Sequence, residues 1–137
     1  MRIVLDTNIL LTSFSSRSIN HWIWLALVEK KYILCITYDI LLEYEEVITR
    51  HASPELASAV TDALLDIPNV ELITRYFAWN MITSDPDDNK FVDCAIAARA
   101  QFLVSEDRHF NALREVEFPK VNVIGIQTFQ QVILKGV

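Results

Sequence analysis

Residues 3–6 of the chain read Ile3-Val4-Leu5-Asp6, a short apolar run that ends at an acid. A continuous apolar run of this length, bounded by a polar residue, is typical of a strand that is buried on both faces. Strands of this kind belong to parallel sheets, in which helices cover both faces. Four later runs share this character, and we predict strands there also, at residues 32–36, 70–73, 102–105 and 121–124.

Helical patterns lie between these runs. The clearest pattern begins at Thr37, which can cap a helix, and places apolar residues at three- and four-residue spacings as far as Ile48. Ser53 and Pro54 predict the start of the next helix. Residues 84–89 are rich in turn and cap residues. Further helices are expected to begin near Ser18, Lys90, Phe110 and Thr128.

The alternation of strands and helices predicts an α/β fold, a three-layer α/β/α sandwich around a parallel sheet. The chain has 137 residues, which is the length of one domain, so residues 1–137 are predicted to form a single domain. Hydrophobic residues make up 52% of the chain, which is too many for a disordered protein. The only two glycines, Gly125 and Gly136, are too few for a glycine-rich phosphate-binding loop.

The charge balance is acidic, with 12 Lys and Arg against 18 Asp and Glu and a formal net charge of −6. This balance argues against a uniformly basic nucleic-acid clamp. It does not exclude a nuclease, because carboxylates that hold a metal make their own protein acidic. The longest apolar run, Trp22 to Val28, is far shorter than the about 20 residues of a membrane-spanning helix, so we expect a soluble, cytoplasmic protein with no membrane partner.

Acidic residues occur where the predicted strands end. Asp6 follows the first strand and Asp107 follows the fourth, while Asp85, Asp87 and Asp88 lie in the loop before a helix. Ligands of open parallel sheets lie beyond the carboxyl ends of the strands. Taken singly, each acid is also explained by a turn, a helix start or a solvated face, and the same holds for Glu43 on the helix after the second strand. Together the acids predict one carboxylate pocket if the first and fourth strands are neighbours.

Clustered carboxylates repel each other unless a cation neutralises them. Mg²⁺ and Mn²⁺ prefer oxygen ligands, and such ions activate water and stabilise the charge that develops on a phosphate. The substrate bond that suits this chemistry is a phosphodiester.

Four segments resemble PIN-domain ribonucleases, and in particular a branch that comprises toxins of toxin–antitoxin systems related to VapC. The similarity spans nearly the whole chain, in order. The segments are Asp6-Thr7-Asn8-Ile9-Leu10, Leu41-Leu42-Glu43-Tyr44-Glu45-Glu46-Val47-Ile48, Asp85-Pro86-Asp87-Asp88-Asn89-Lys90-Phe91 and Phe102-Leu103-Val104-Ser105-Glu106-Asp107. The resemblance implies a five-stranded parallel sheet and an RNA endonuclease that depends on Mg²⁺ or Mn²⁺.

Carried over residue by residue, the resemblance implies that Asp6, Glu43, Asp88 and Asp107 are the catalytic acids. Of these, Asp6, Asp88 and Asp107 are the expected metal ligands. Asn8 and Ser105 match polar positions that support the first and last acids, although threonine is common where Ser105 stands.

For the metal ligand assigned to Asp88, the sequence offers two alternatives. Asp93 also matches an acidic position of the family, but it lies five residues after Asp88, about 140° further round the helix, so the two cannot point identically into one site. Asp93 is therefore an alternative ligand or an outer carboxylate that acts through water. Asp87 is a further alternative.

The resemblance also implies partners, namely an RNA substrate, a second copy in a homodimer and an antitoxin bound over an apolar groove. RNA binding needs cations, and the early helices offer Arg17, Lys30, Lys31 and Arg50 while the motifs offer Lys90, Arg99, Arg108 and His109. Two other functions remain open. One is a non-catalytic PIN-like module that binds RNA or protein. The other is a haloacid-dehalogenase-like phosphatase, which would need an aspartate at the position of Asn8.

Overall fold

A parallel β-sheet runs through the computed structural model, which describes residues 1–75, 77–82 and 85–135. Within these residues the sheet has five strands in the order β3-β2-β1-β4-β5, and every neighbouring pair is parallel. All five predicted strands are confirmed. Their bounds are Arg2–Leu5 for β1, Ile33–Ile36 for β2, Val70–Leu72 for β3, Phe102–Val104 for β4 and Val123–Ile124 for β5.

Helices connect the strands and follow the last one. The α-helices of the described residues are α1 (Thr7–Ser13), α2 (His21–Val28), α3 (Tyr38–His51), α4 (Pro54–Asp66), α5 (Asn89–Ala98) and α6 (Ile126–Leu134). Two 3₁₀ helices, Pro86–Asp88 and Arg108–Glu115, flank the α5–β4 unit. No helix in the described part of the chain is long and apolar enough to cross a membrane.

The central strands are buried on both sides. Successive residues of a strand point to opposite faces of the sheet. Ile3, Val4 and Leu5 are nevertheless all fully buried, and the same is true of residues 34–36 in β2 and 103–104 in β4. Helices therefore cover both faces, which confirms the predicted three-layer α/β/α architecture.

Local sequence signals explain two helix starts. The Thr37 hydroxyl accepts a hydrogen bond from the backbone N–H of Ile40 at 3.4 Å, and the Ser53 hydroxyl accepts one from Leu56 at 3.1 Å. Each hydroxyl satisfies one of the N–H groups that the first turn of a helix leaves without a partner. The predicted beginnings of α3 and α4 are therefore confirmed.

Three other helix starts differ from the sequence-based expectation. We assigned no helix directly after β1, yet the Asp6 carboxylate caps α1 by accepting from the Ile9 N–H at 3.0 Å. Helix α2 begins at His21 rather than near Ser18, because the Ser18 carbonyl and hydroxyl hold a turn before it. Helix α6 begins at Ile126 rather than Thr128.

The start of α6 has a tertiary cause. The carboxylate of Glu106 accepts a hydrogen bond from the Ile126 N–H at 2.6 Å, across 20 positions of sequence. Gly125 allows this close approach, because a Cβ atom at this position would lie 2.8 Å from a Glu106 oxygen. A cap that comes from another segment cannot be predicted from the residues next to the helix.

The predicted turn at 84–89 forms at its described residues, while Ser84 lies outside them.

The order of the strands reverses between β1 and β4. These two strands pair in parallel, with Leu5 opposite Val104. β2 and β3 lie on one side of this pair, and β5 lies on the other. The reversal opens a crevice beyond the carboxyl ends of β1 and β4, which is where open α/β sheets bind ligands. Asp6 and the segment that begins at Ser105 emerge at this crevice.

Tyr44 ties α3 to the end of β1. Its hydroxyl is buried and donates a hydrogen bond to the Leu5 carbonyl at 2.6 Å. Because a buried hydrogen bond contributes about 1 kcal/mol, we expect Tyr44→Phe to lower the free energy of unfolding by about that amount. Tyr38→Phe is the matched control, since Tyr38 is 65% exposed. Urea denaturation of both variants checks this, and equal losses in the two would contradict it.

Candidate active site

Asp6 lies at the carboxyl end of β1, where its backbone N–H still donates to the Val104 carbonyl of β4 at 3.1 Å. Its carboxylate is buried, and one oxygen caps α1. Burial raises the pKa of Asp6, and the negative charge of Asp107 raises it further, while the hydrogen bonds from Ser105 and from the Ile9 N–H act in the opposite direction. This acid is held in place by neutral donors that leave its charge uncompensated.

Ser105 connects the first and last acids. Its hydroxyl donates to the second oxygen of Asp6 and accepts from the backbone N–H of Asp107 at 2.9 Å. Ser105 is itself buried. The two predicted ligands that lie 101 positions apart are thereby fixed beside each other, through the residue that we expected to support them.

Asp88 approaches the same place from the short 3₁₀ helix before α5. The Nδ1 atom of His109 lies 3.1 Å from an Asp88 oxygen and 3.2 Å from an Asp107 oxygen. The pKa of Asp88 is raised to about 6, mainly by burial and further by the charges of Asp85 and Asp107, while His109 acts in the opposite direction. Asp88 and Asp107 are therefore neighbours around one imidazole.

Glu43 reaches the site from the first half of α3. One of its oxygens accepts from the hydroxyl of Thr7, the residue after Asp6, and the other lies 2.8 Å from the Nζ atom of Lys90. Burial lowers the pKa of Lys90, but the hydrogen bond and the charge of Glu43 outweigh it and leave that pKa above its usual value. The fourth predicted acid is thus part of an ion pair.

Asp93 has different partners. Its buried side chain accepts from the guanidinium of Arg75 at 2.8 Å and from the backbone N–H of Trp79 at 3.0 Å. Arg75 also lies 3.5 Å from Asp39. Asp93 therefore anchors the segment after β3 onto α5. The alternative residue Asp87 is exposed, and it lines a cleft together with Asp93 and Lys90.

An open cleft lies directly over the first and last acids. Its walls include Asp6 and Asp107, together with the exposed residue Asn8. Ile9, Thr12 and Ile126 supply its less polar walls, and Glu106 closes one side. A substrate can therefore reach the carboxylates from solvent.

Several of these contacts were not expected from the sequence. His109, which the sequence offered as a cation for RNA binding, has a side chain that is 41% exposed, and it also contacts Asp88 and Asp107 and lies 3.8 Å from Asp85. Thr7 and Lys90 stand within the quoted motifs, but nothing in a single sequence indicates that both bind Glu43. The one available signal is that each lies within two residues of a predicted ligand.

The donor set fits a hard divalent cation. In the described residues, the group whose ligand atoms all lie within 4.8 Å of one another is Asp85, Asp88 and His109. Asp6 and Asp107 lie outside this group and are connected to each other through Ser105. Burial is the main cause of the raised pKa values of Asp6 and Asp88, so it penalises their negative charges. A bound cation removes this penalty, whereas Lys90 and Arg75 already pair with Glu43 and Asp93.

Comparisons with known proteins bear on this site. A sequence profile of the PIN domain matches residues 2–109, which include the four predicted catalytic acids. Among solved structures, the chain is similar to the crystal structure of VapBC2 from Rickettsia felis bound to a DNA fragment from their promoter, with a TM-score of 0.63 and 19% identity. That similarity covers 91% of this chain and 98% of the other, and it shows a common fold. Curated protein sequences give no match.

The raised pKa of Asp88 predicts that the free energy of unfolding of the metal-free protein depends on pH. Its pKa rises from 3.8 to about 6 on folding, so between these values the folded state binds more protons than the unfolded state. The free energy of unfolding therefore falls as the pH rises through this window. We expect Asp88→Asn in EDTA to be more stable than wild type by about 1–2 kcal/mol at pH 7, after a discount for partial exposure.

At pH 4 the Asp88→Asn variant should have no such advantage, because the wild-type carboxyl is then largely protonated. Urea denaturation from pH 4 to 8 measures both limits. Asp62→Asn, which changes an exposed acid of α4, is the control and should differ from wild type by less than about 0.5 kcal/mol. A metal-free Asp88→Asn protein that is less stable than wild type at pH 7 would contradict the prediction.

Proposed function

The chain belongs to the PIN-domain family, and we propose that it is a metal-dependent endoribonuclease that hydrolyses phosphodiester bonds in RNA. The observation that supports the proposal is that Asp107 has two links, one to Asp6 through Ser105 and one to Asp88 through His109. Asp6 and Asp107 line an open cleft, and in the described residues neither they nor Asp88 form an ion pair with a lysine or arginine, which suits a site that takes a cation and a phosphate. The resemblance of the four motifs to ribonucleases supports RNA as the substrate.

In this proposal Asp6, Asp88 and Asp107 hold Mg²⁺ or Mn²⁺. Such an ion, when bound, lowers the pKa of a coordinated water and stabilises negative charge on the phosphate. Ser105 orients the Asp6 carboxylate and the Asp107 backbone through its hydroxyl. Asn8 faces the cleft and is available to hydrogen-bond to the substrate. We propose Asp88 rather than Asp93 as the third ligand, because Arg75 and Trp79 already bind the Asp93 oxygens.

His109 and Glu43 have positioning roles in this proposal. The His109 ring lies against Asp88 and Asp107 and holds the two carboxylates near each other. Glu43 is held by Thr7 and Lys90 and so connects α3 to the residue after Asp6 and to the start of α5. Most of the catalytic contribution of the chain is therefore orientation and electrostatics, as expected for phosphodiester hydrolysis.

Asp6→Asn tests the proposal directly. An asparagine oxygen can still cap α1, so the fold should be kept while one ligand charge is lost. We expect cleavage of a labelled random-sequence RNA pool in Mn²⁺ to fall by at least about 100-fold. The far-UV circular dichroism spectrum should not change.

Asp62→Asn is the matched control and should cleave the pool at the wild-type rate. Full activity of Asp6→Asn would refute the proposed function. A wild-type protein that binds the pool but never cuts it would instead favour a non-catalytic PIN-like module, which is the second candidate function.

We further propose that this nuclease is the toxin of a toxin–antitoxin pair, that it forms a homodimer and that it acts in the cytoplasm. The similarity of its fold to a VapBC2 structure supports this assignment. A groove between α2 and α6 offers a surface for an apolar segment of an antitoxin. The residues that line it are Trp22, Leu25, Ala26, Glu29, Lys31, Gln130, Ile133 and Leu134.

A charged residue in this groove should weaken antitoxin binding. Leu25 is 46% exposed, so Leu25→Glu leaves the core intact and places a carboxylate where apolar contact is needed. We expect the product of a small adjacent reading frame, co-expressed with this chain, to co-purify with wild type and to be lost with Leu25→Glu. Leu72→Glu, at a 56% exposed position on β3, is the control and should retain the partner. Equal recovery with both variants would contradict the assignment of the groove.

A further inference from the structure

The acids of the site differ in the kind of partner that each one has. Asp6 accepts only neutral donors in the described structure, namely the Ser105 hydroxyl and a backbone N–H. Glu43 accepts a neutral hydroxyl from Thr7 and also a full positive charge from Lys90, at 2.8 Å. Each carboxylate oxygen retains a second lone pair after one hydrogen bond, so hydrogen bonding alone does not prevent either acid from binding a metal ion. The two carboxylates differ instead in the charge of their partners.

The Lys90–Glu43 pair is sheltered from solvent. The two side chains are 18% and 20% exposed, so water screens their charges less than it screens those of a surface pair. A lysine ammonium group is ordinarily charged at neutral pH, and the 2.8 Å contact places that charge on the Glu43 carboxylate. Glu43 therefore has its charge neutralised by the chain itself.

A divalent ion at Glu43 would have to lie within a few ångströms of this ammonium group. Two cations at such a distance repel each other strongly in a partly buried site. Two-metal nucleases place their ions about 3.5–4 Å apart and need carboxylate charge to offset both of them. Because Lys90 neutralises Glu43, only three of the four carboxylates can offset the charge of bound metal ions.

We propose that Lys90 takes the place of a second divalent cation at Glu43, so that the active site binds a single metal ion through Asp6, Asp88 and Asp107. This inference rests on the proposed metal-dependent function and specifies the number of ions. Lys90 is a positioning residue in this scheme. It lies two residues after Asp88, at the start of α5, and so connects the third ligand to α3.

Counting bound Mn²⁺ by electron paramagnetic resonance, without any substrate, tests the inference. We expect one ion per wild-type chain and one per Lys90→Arg chain, because arginine retains the positive charge. Lys90→Met should bind a second ion, since Glu43 then carries a free negative charge. Circular dichroism verifies that each variant is folded.

The double variant Glu43→Gln/Lys90→Met removes the ion pair without changing the net charge. This double variant should bind one Mn²⁺ ion again. Its Mn²⁺ affinity should fall relative to wild type by less than the about 10–100-fold loss that follows removal of a residue that orients a metal ligand. If Lys90→Met does not fold, Glu43→Gln decides the matter, because it should keep one bound ion.

Two ions on the wild-type chain, one of which is lost in Glu43→Gln, would overturn this inference and leave the proposed function standing. A single ion on folded Lys90→Met would also overturn it. No Mn²⁺ binding by wild type would overturn the proposed function itself and the inference with it. The two failures are therefore distinguishable.

Discussion

The parallel pairing of β1 with β4 is the constraint on which the site depends. In the described residues, two other strands and five α-helices separate these strands in the sequence, yet Leu5 lies directly opposite Val104. The residues that follow, Asp6 and Ser105, then emerge together at the crevice where the strand order reverses. A register shifted by one residue would turn Ser105 to the other face of the sheet and separate it from Asp6.

The distribution of charge around this crevice divides the acids into two groups. Glu43 and Asp93 are neutralised by Lys90 and Arg75, and both pairs hold neighbouring segments together. Asp6, Asp88 and Asp107 are instead arranged by a serine, a histidine and backbone N–H groups. The burial of uncompensated charge destabilises the metal-free fold, and a cation would recover that free energy. The formal net charge of −6 is thus concentrated in part where a divalent ion would reduce it.

The accuracy of the sequence-based expectations followed the range of the interactions involved. Strands were predictable because burial on both faces leaves short continuous apolar runs, and α3 and α4 were predictable because Thr37 and Ser53 cap them locally. The predicted start of α6 was wrong because Glu106, which accepts the hydrogen bond at this helix start, lies 20 positions earlier in the sequence. Helix α1 was missed because Asp6 both follows a strand and caps a helix, and the sequence pattern does not separate the two roles.

By itself the sequence determined the α/β class, the five strands and the acids that stand where strands and helices meet. These features depend on periodicity and on neighbouring residues, which one chain carries in full. Only the tertiary structure decided how the acids are used. It placed Asp88 beside His109 and Asp107, gave Asp93 to Arg75 and Trp79, and paired Glu43 with Lys90. These partners lie 14 or more positions apart in most cases, and their meeting is fixed by strand order and helix packing rather than by any local pattern.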